Sequence, residues 1–239
     1  HRQLRGLVLG GIVLLLLLVP ESLALLLGLL FPDEARLVYP LQSPLALLLE
    51  HLGLVAATSL IASGIGLAAS LAAHFLRMVP VRRLIDLTGT SLQTIPPMAV
   101  LALLVPVLGF GTQPVLFALV LFGILPVLHY SMAALRLVPE DALQAGLGLG
   151  FSKSQIFLKI QLPLAAPGML SGVRTSMLIN IGTAAIGATM GAGGLGRPII
   201  AGLNQFAYPY LLQGALTAAV LAYLVDKAFA LLIARLAPV

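Results

Sequence analysis

The sequence predicts an all-α membrane protein, a polytopic helix bundle with about six transmembrane helices. Of its 239 residues, 60% are hydrophobic and only 9% are charged, and the mean hydropathy is +1.10. A soluble domain carries about 25% charged residues, so this chain has too few charges to cover a water-facing surface. Its apolar stretches are continuous rather than alternating, which favours membrane helices over barrel strands.

Six apolar stretches are long enough to cross a bilayer core, which needs about 20 helical residues. They run over residues 7–31, 45–76, 84–110, 114–138, 164–190 and 211–236. Pro20 and Glu21 interrupt the first stretch near its middle. A central acid costs about 2.5–3.5 kcal/mol on the insertion scale, whereas the thirteen leucines of the stretch contribute about −6.5 kcal/mol. We therefore expect one span there, and a broken hairpin is the alternative.

The basic residues orient the bundle. With the N-terminus in the cytoplasm and six crossings, the cytoplasmic side receives nine basic residues: Arg2, Arg5, Arg77, Arg82, Arg83, Arg136, Lys153, Lys159 and Arg235. Only Arg36 and Arg197 fall outside, while Arg174 and Lys227 lie within or near spans. This bias predicts that both termini are cytoplasmic, because positive charge accumulates on the inner side. A hairpin in the first stretch would reverse every later segment.

The composition argues against several other classes of protein. The basic residues form no single patch, so the net charge of +5 fits membrane topology better than nucleic-acid binding. The chain has no cysteine, and its internal histidines, His51, His74 and His129, are widely spaced. We therefore expect no metal site and no catalytic residues.

The segments between the spans indicate one domain. Residues 32–44 carry Asp33 and Glu34 and are predicted to face outward, as is the glycine-rich segment 191–210. No internal repeat or linker is visible. Residues 1–239 are predicted to form a single transmembrane domain, with a core at 45–236, an inward loop at 139–163 and an additional first span at 7–31.

The inward loop has two short helical patches separated by glycines. Gly150 is predicted to end the first patch with a positive-φ turn, and Ser152 to cap the second, which carries an apolar stripe at Ile156 and Ile160. Pro163 is expected to stop the helix before the next span. Such a helix–turn–helix suits docking into a partner's groove. An amphipathic connector lying on the membrane surface is the alternative.

The inward loop is similar to the EAA coupling loop of binding-protein-dependent ABC importer permeases. That pattern is Glu-Ala-Ala, three residues, Gly, nine residues, Ile, one residue and Leu-Pro. Its register falls here on Gln144, Ala145, Gly146, Gly150, Ile160, Leu162 and Pro163. Two positions depart, because Gln144 replaces the acid and Gly146 replaces the second alanine. The loss of the acid puts in doubt a salt bridge to the ATPase, but not the docking shape.

The stretches "SLQTIPPMAVLALLVPVLGFG" and "VRTSMLINIGTAAIGATMGAGGLG" resemble the permeases for quaternary-ammonium osmoprotectants such as glycine betaine, choline and carnitine. The methionine-importer permeases are the nearest confusable group. The resemblance implies the type I importer (MetI-like) fold and a bacterial inner-membrane location. It also implies a second permease subunit, two cytoplasmic ATPases that bind ATP and Mg, and an external substrate-binding protein. No cofactor is then expected in this chain itself.

Further residues are candidates for the translocation path or the outer surface. Asn180 and Thr183 share one helix face, and Gln93 and Thr94 precede a helix-disturbing proline pair that begins at Pro96. Helix–helix hydrogen bonds and a packing kink are the respective alternatives. The glycines of the predicted external turn are Gly191, Gly193, Gly194 and Gly196. Asp226 offers a different function, that of an ion-coupled secondary carrier, since intramembrane acids are often functional.

Overall fold

The structure is a computed structural model that describes residues 2–76 and 95–236. These two ranges are helical throughout, apart from turns and loops, and contain no strand. The helices are α1 (Arg2–Leu18), α2 (Pro20–Leu30), α3 (Pro44–Phe75), α4 (Pro97–Leu108), α5 (Thr112–Arg136), α6 (Glu140–Gly148), α7 (Lys153–Ile156), α8 (Leu162–Gly187), α9 (Gly196–Gln205) and α10 (Tyr208–Leu236). The prediction of an all-α bundle is confirmed.

Four helical segments of the described ranges are long and apolar enough to cross a membrane. They are Pro44–Phe75, Thr112–Arg136, Lys153–Met190 and Tyr208–Leu236, and they lie on the second, fourth, fifth and sixth predicted stretches. The third stretch is described only from residue 95 onward, where α4 supplies 12 apolar helical residues. The described ranges thus account for four spans, or five if the bent first pair counts as one.

The first apolar stretch is not one straight helix. Helices α1 and α2 meet at 91°, and Val19 between them has an extended backbone. Pro20 causes the break. It has no N–H to donate to the carbonyl four residues earlier, and its ring clashes with that carbonyl in a regular helix. The Ser22 hydroxyl donates at the bend, to the carbonyl oxygens of Leu16 at 2.6 Å and Val19 at 3.0 Å. A single crossing by residues 7–31 stays a prediction.

Helix α8 lies at the centre of the bundle and packs against α3, α5 and α10. Its contact with α5 depends on Gly168 and Gly172, which form a Gly-x-x-x-Gly pair. A Cβ atom at Gly168 would lie 2.6 Å from the Cβ of Ala134, and one at Gly172 would lie 3.0 Å from the Cα of Val127. Small residues let membrane helices approach closely in this way. Close approach matters because helices within lipid associate through dispersion contacts and not through the hydrophobic effect.

The segment after α8, which is predicted to face outward, contains a helix that sequence patterning missed. Helix α9 occupies Gly196–Gln205 within the predicted glycine-rich turn region and packs against α10. Glycine and proline near the start of this helix indicated a turn, although proline is well tolerated in the first turn of a helix.

Candidate functional site

The loop that is predicted to face inward folds into a compact elbow, which we define as residues 139–163. Helix α6 ends in a Schellman motif: the Phe151 N–H donates to the Gly146 carbonyl at 3.0 Å, and the Gly150 N–H to the Leu147 carbonyl at 2.9 Å. Gly150 has φ of +79°, a left-handed conformation that glycine adopts without strain. The predicted turn at Gly150 is confirmed, and it returns the chain across α6.

The second half of the elbow begins with a capping box. The Gln155 N–H donates to Oγ of Ser152 at 3.3 Å, and the Ser152 N–H donates to Oε1 of Gln155 at 2.8 Å. The predicted cap at Ser152 is confirmed. Local hydrogen bonds therefore fix both sides of the turn, so the elbow's shape is encoded within a few residues.

The prediction that Pro163 stops the helix was wrong. The helical run continues from Lys153 to Met190, with Pro163 as the second residue of α8. A π-helical turn at Phe157–Gln161 comes directly before α8. We attribute the continuity of the helix to this wider turn. It changes the hydrogen-bond spacing just before Pro163, so the helix continues although the proline has no N–H to donate. The second half of the elbow and α8 thus form one continuous helical run, residues 153–190, which we call the rod.

The two arms of the elbow are in close contact. Gly146 is buried, and a Cβ atom there would lie 2.5 Å from Cδ1 of Ile160 and 3.4 Å from Cγ1 of Ile156. The apolar stripe predicted at Ile156 and Ile160 is therefore used inside the elbow. It holds α6 against the helical rod, and a role of these two side chains in coupling to an ATPase stays a prediction.

The elbow is also joined to the neighbouring ends of the spans. The rings of Phe157 and Phe75 meet edge to face with centroids 4.7 Å apart, and Nε2 of Gln161 donates to the Leu135 carbonyl at 3.3 Å. An apolar cluster lies between the elbow, α5 and α8: Leu135, Val138, Leu143, Phe157, Ala165 and Met169. Because packed apolar contacts resist compression, a push on the elbow would reach α3, α5 and α8 together.

The outer surface of the elbow combines leucines with charges. Leu147, Leu149 and Leu158 are 51%, 75% and 60% exposed. Nζ of Lys159 lies 5.3 Å from the centroid of the Phe151 ring. Of the predicted coupling residues, Gln144, Ala145, Gly150 and Pro163 are exposed, Ile156, Ile160 and Leu162 are partly buried, and Gly146 is buried.

Gln144, which stands where the coupling-loop pattern has an acid, is paired with a neighbouring carboxylate. Its Nε2 donates to Oε1 of Glu140 at 2.9 Å, one helical turn away on the exposed face of α6. A negative charge is therefore present beside Gln144 even though the residue itself is neutral.

The predicted path residues have different surroundings. Asn180 is fully buried, and its Nδ2 donates to Oγ of Ser59 at 3.1 Å and to Oγ1 of Thr58 at 3.4 Å, on the facing helix α3. Thr183 is 7% exposed on the same face of α8. In this conformation Asn180 makes helix–helix hydrogen bonds, and a role in the path stays a prediction. Pairs of hydroxyl residues such as Thr58–Ser59 within an apolar stretch are the signal that sequence reasoning overlooked.

Two other predicted path residues, Gln93 and Thr94, lie outside the described residues. Pro96 is exposed and precedes α4 as its N-cap, with an extended backbone. Helix α4 therefore starts at the proline pair, where a missing N–H costs nothing.

The glycine-rich segment that is predicted to be external is a tightly held turn. Gly191, Gly193 and Gly194 have φ of +90°, +83° and +69°. Gly196 has a different requirement, because a Cβ there would overlap the carbonyl oxygen of Ala185. Glycine is thus needed for backbone conformation at three positions and for close approach at the fourth.

Side chains that sequence reasoning did not single out tie this turn to α3. Oε2 of Glu50 accepts from the Gly194 N–H at 3.0 Å, and Oε1 of Glu50 accepts from Nε2 of Gln42 at 2.6 Å. Arg197 closes the ring: its Nη1 donates to Oε1 of Gln42 at 2.9 Å, and its Nη2 lies 3.8 Å from Oε2 of Glu50. We call Gln42, Glu50, Gly194 and Arg197 the outer ring.

Asp226 is paired with two basic neighbours. Its Oδ1 accepts from Nε of Arg174 at 2.8 Å and also from Nη2 of that arginine, while Nζ of Lys227 lies 3.7 Å from its Oδ2. Asp226 is therefore engaged in an ion pair between two helices and is not an isolated intramembrane acid. This geometry counts against the ion-coupled alternative.

Comparison with known proteins gives a consistent family. The model for "Binding-protein-dependent transport system inner membrane component" matches residues 62–238, about three quarters of the chain. The choline transport system permease protein of Bacillus subtilis (strain 168) is 36% identical over 147 residues, which are 62% of this chain and 68% of that protein. The glycine betaine/carnitine/choline transport system permease protein of the same organism is 34% identical over 146 residues, 61% of this chain and 67% of that protein.

A third relative is larger than this chain. The ergothioneine transport permease/ergothioneine binding protein of Helicobacter pylori (strain G27) is 40% identical over 136 residues, 57% of this chain but only a quarter of that protein. Among solved structures, the inward-facing methionine ABC transporter MetNI matches with a TM-score of 0.66 and 21% identity, over 79% of this chain and 94% of that chain. At that identity the similarity establishes the fold alone.

Proposed function

Because the chain belongs to the family of binding-protein-dependent transport system inner membrane components, we propose that it is the permease for a small trimethylammonium solute. The family makes it a transport subunit that works with a binding protein and an ATP-hydrolysing partner. The finer assignment of the solute rests on the relatives. Choline, carnitine, glycine betaine and ergothioneine, the solutes after which these relatives are named, all carry a trimethylammonium group.

The single observation that carries the coupling mechanism is the continuity of the elbow with α8. Two cytoplasmic ATPases bind ATP and Mg, and each grips one elbow through its exposed leucines and Gln144–Glu140 surface. Closure of the ATPase dimer pushes the elbow, and the push travels along the rod into the bundle. The membrane-surface connector is the weaker alternative, because α6 is packed against the rod at Gly146 instead of extending away from it.

The proposed assembly places two permease subunits around the path, with both termini and the elbow in the cytoplasm. The outer ring and its glycine-rich turn then face the binding protein. Each state of such a machine must be favoured by different contacts, since a partner that binds both states equally shifts neither. The whole of residues 1–239 acts as one permease domain in this proposal.

A methionine or amino-acid permease is the second candidate. The chain shares the fold of the methionine transporter, but at 21% identity this similarity does not indicate the substrate. The more similar relatives support the trimethylammonium class.

Uptake by proteoliposomes tests the proposal. The chain is reconstituted with its ATPase and binding protein, and labelled choline, glycine betaine, carnitine, ergothioneine and methionine are offered separately. We expect ATP-dependent uptake of at least one trimethylammonium solute that excess methionine does not inhibit. Uptake of methionine alone, or uptake that needs no ATP, would contradict the proposal.

A further inference from the structure

The ion pair between Arg174 and Asp226 lies at one level of two neighbouring helices. Arg174 is 16 residues before Met190, and Asp226 is 18 residues after Tyr208, so both lie about 24–27 Å from the outer ends of their helices. For a core about 30 Å thick, this places the pair close to the inner boundary of the hydrocarbon. The side chain of Arg174 is 33% exposed and that of Asp226 is 24% exposed, so most of the surface of the pair is buried.

The pair is the polar link between the elbow rod and helix α10. Arg174 belongs to the helical run that begins at Lys153. It lies 12 residues after Leu162, the first residue of α8. Its Nε and Nη2 both donate to the same carboxylate oxygen of Asp226. Charge-assisted bonds of this kind have a fixed direction, whereas leucine contacts allow helices to slide past one another.

Helix α10 also packs closely against α1. On the turn that carries Asp226, the α10 side chains Tyr223 and Leu224 meet two glycines of α1. A Cβ atom at Gly6 would lie 2.6 Å from the hydroxyl oxygen of Tyr223, and one at Gly10 would lie 2.8 Å from Cδ2 of Leu224. At the inner end of the bundle, the rod therefore contacts α10, and α10 in turn contacts α1.

We propose that Arg174 and Asp226 are positioning residues for coupled transport: the pair makes α10 and α1 move with the elbow when the ATPases close. The inference rests on the proposed function, since it needs an elbow that is pushed. It gives Asp226 a mechanical role in place of proton coupling. Lys227 also lies near Asp226 but belongs to the same helix, so it adds charge without joining two helices.

The experiment compares Arg174→Gln, Asp226→Asn and the double reversal Arg174→Asp/Asp226→Arg in the complete reconstituted transporter. The readout is solute imported per ATP hydrolysed. We expect each neutralised variant to lose about tenfold in this ratio while ATP hydrolysis continues, and the double reversal to recover most of it. Lys227→Gln is the matched control and keeps the ratio, because it leaves the bond between α8 and α10 in place.

A distance measurement separates a mechanical link from a merely structural contact. The chain has no cysteine, so spin labels can be placed specifically through Ala166→Cys in the part of α8 just beyond the elbow and Leu232→Cys in α10. With the pair intact, ATP leaves the distance between the labels unchanged. With Arg174→Gln, ATP changes it.

Two results would overturn the link: neutralised variants that keep the wild-type ratio, or a label distance that responds to ATP equally with and without the pair. Failure of the proposed function has a different signature, because the unmodified transporter would then import no solute on ATP addition.

Discussion

Gly146 lies directly against Ile160 across the elbow, so closely that a Cβ atom at Gly146 would be 2.5 Å from Cδ1 of Ile160. This contact sets the distance between α6 and the helical rod. Because Cδ1 is the flexible end of a side chain, the site has room for one methyl group after a small shift, but for nothing larger.

Gly146→Leu is therefore expected to separate α6 from the rod and to reduce ATP-driven uptake by about tenfold or more, as overpacking costs about 1–3 kcal/mol. Gly146→Ala keeps most of the uptake, in line with the alanine found there in the coupling-loop pattern. Uptake by reconstituted transporter measures both. Gly148→Leu is the matched control, because no atom lies within 4 Å of a Cβ at that position. Equal losses at Gly146 and Gly148 would refute the packing account.

Gly150→Ala is expected to destabilise the elbow by about 1–2 kcal/mol, since alanine resists the left-handed conformation that φ of +79° requires. Gly150→Asn should cost less, because asparagine tolerates this region. Hydrogen exchange at the Phe151 amide reports the effect, as that amide closes the turn onto Gly146. In Gly148→Ala, within α6, exchange should slow or stay unchanged. Faster exchange in the Gly148 variant than in Gly150→Ala would contradict the assignment.

Glu50→Ala removes the acceptor of the Gly194 N–H and opens the outer ring. We expect faster hydrogen exchange at Gly194 and its neighbours, because a backbone donor loses its partner and the turn loses its attachment to α3. Glu34→Ala, in the preceding outer loop and outside the ring, is the control and should leave that exchange unchanged. An unaltered Gly194 amide in Glu50→Ala would show that the turn is held by other contacts.

The two interpretations of Asn180 can be separated by a double-mutant cycle with Ser59. If Asn180 serves helix packing, Asn180→Ala lowers thermal stability, and its coupling energy with Ser59→Ala is about 0.6 kcal/mol, as for similar bonds between membrane helices. If Asn180 lines the path, its replacement raises the solute concentration for half-maximal uptake and leaves stability unchanged. We expect the first outcome, because the side chain is fully buried against α3.

Local chemistry made the elbow predictable from the sequence. Gly150 and Ser152 each act through hydrogen bonds to residues within five positions, and both behave as their residue types imply. Pro163 did not, because a π turn before it changed the ladder that proline normally interrupts. Such a turn has no clear sequence pattern.

Long-range partners were beyond sequence reasoning. Glu50 and Gly194 are 144 residues apart, and Arg174 and Asp226 are 52 apart, so only the fold reveals that they meet. The right-angled bend at Pro20 was underestimated for a related reason. Summed hydrophobicity measures whether a segment enters the membrane, but not whether its helix stays straight.

Accessibility of the elbow tests the central claim most directly, since a cysteine introduced by Ser154→Cys is the only thiol in the chain. In right-side-out and inverted vesicles, an impermeant maleimide is expected to label it only from the cytoplasmic side, and the bound ATPase to protect it. Labelling from the external side, or full labelling in the presence of the ATPase, would contradict a cytoplasmic elbow that docks an ATP-hydrolysing partner.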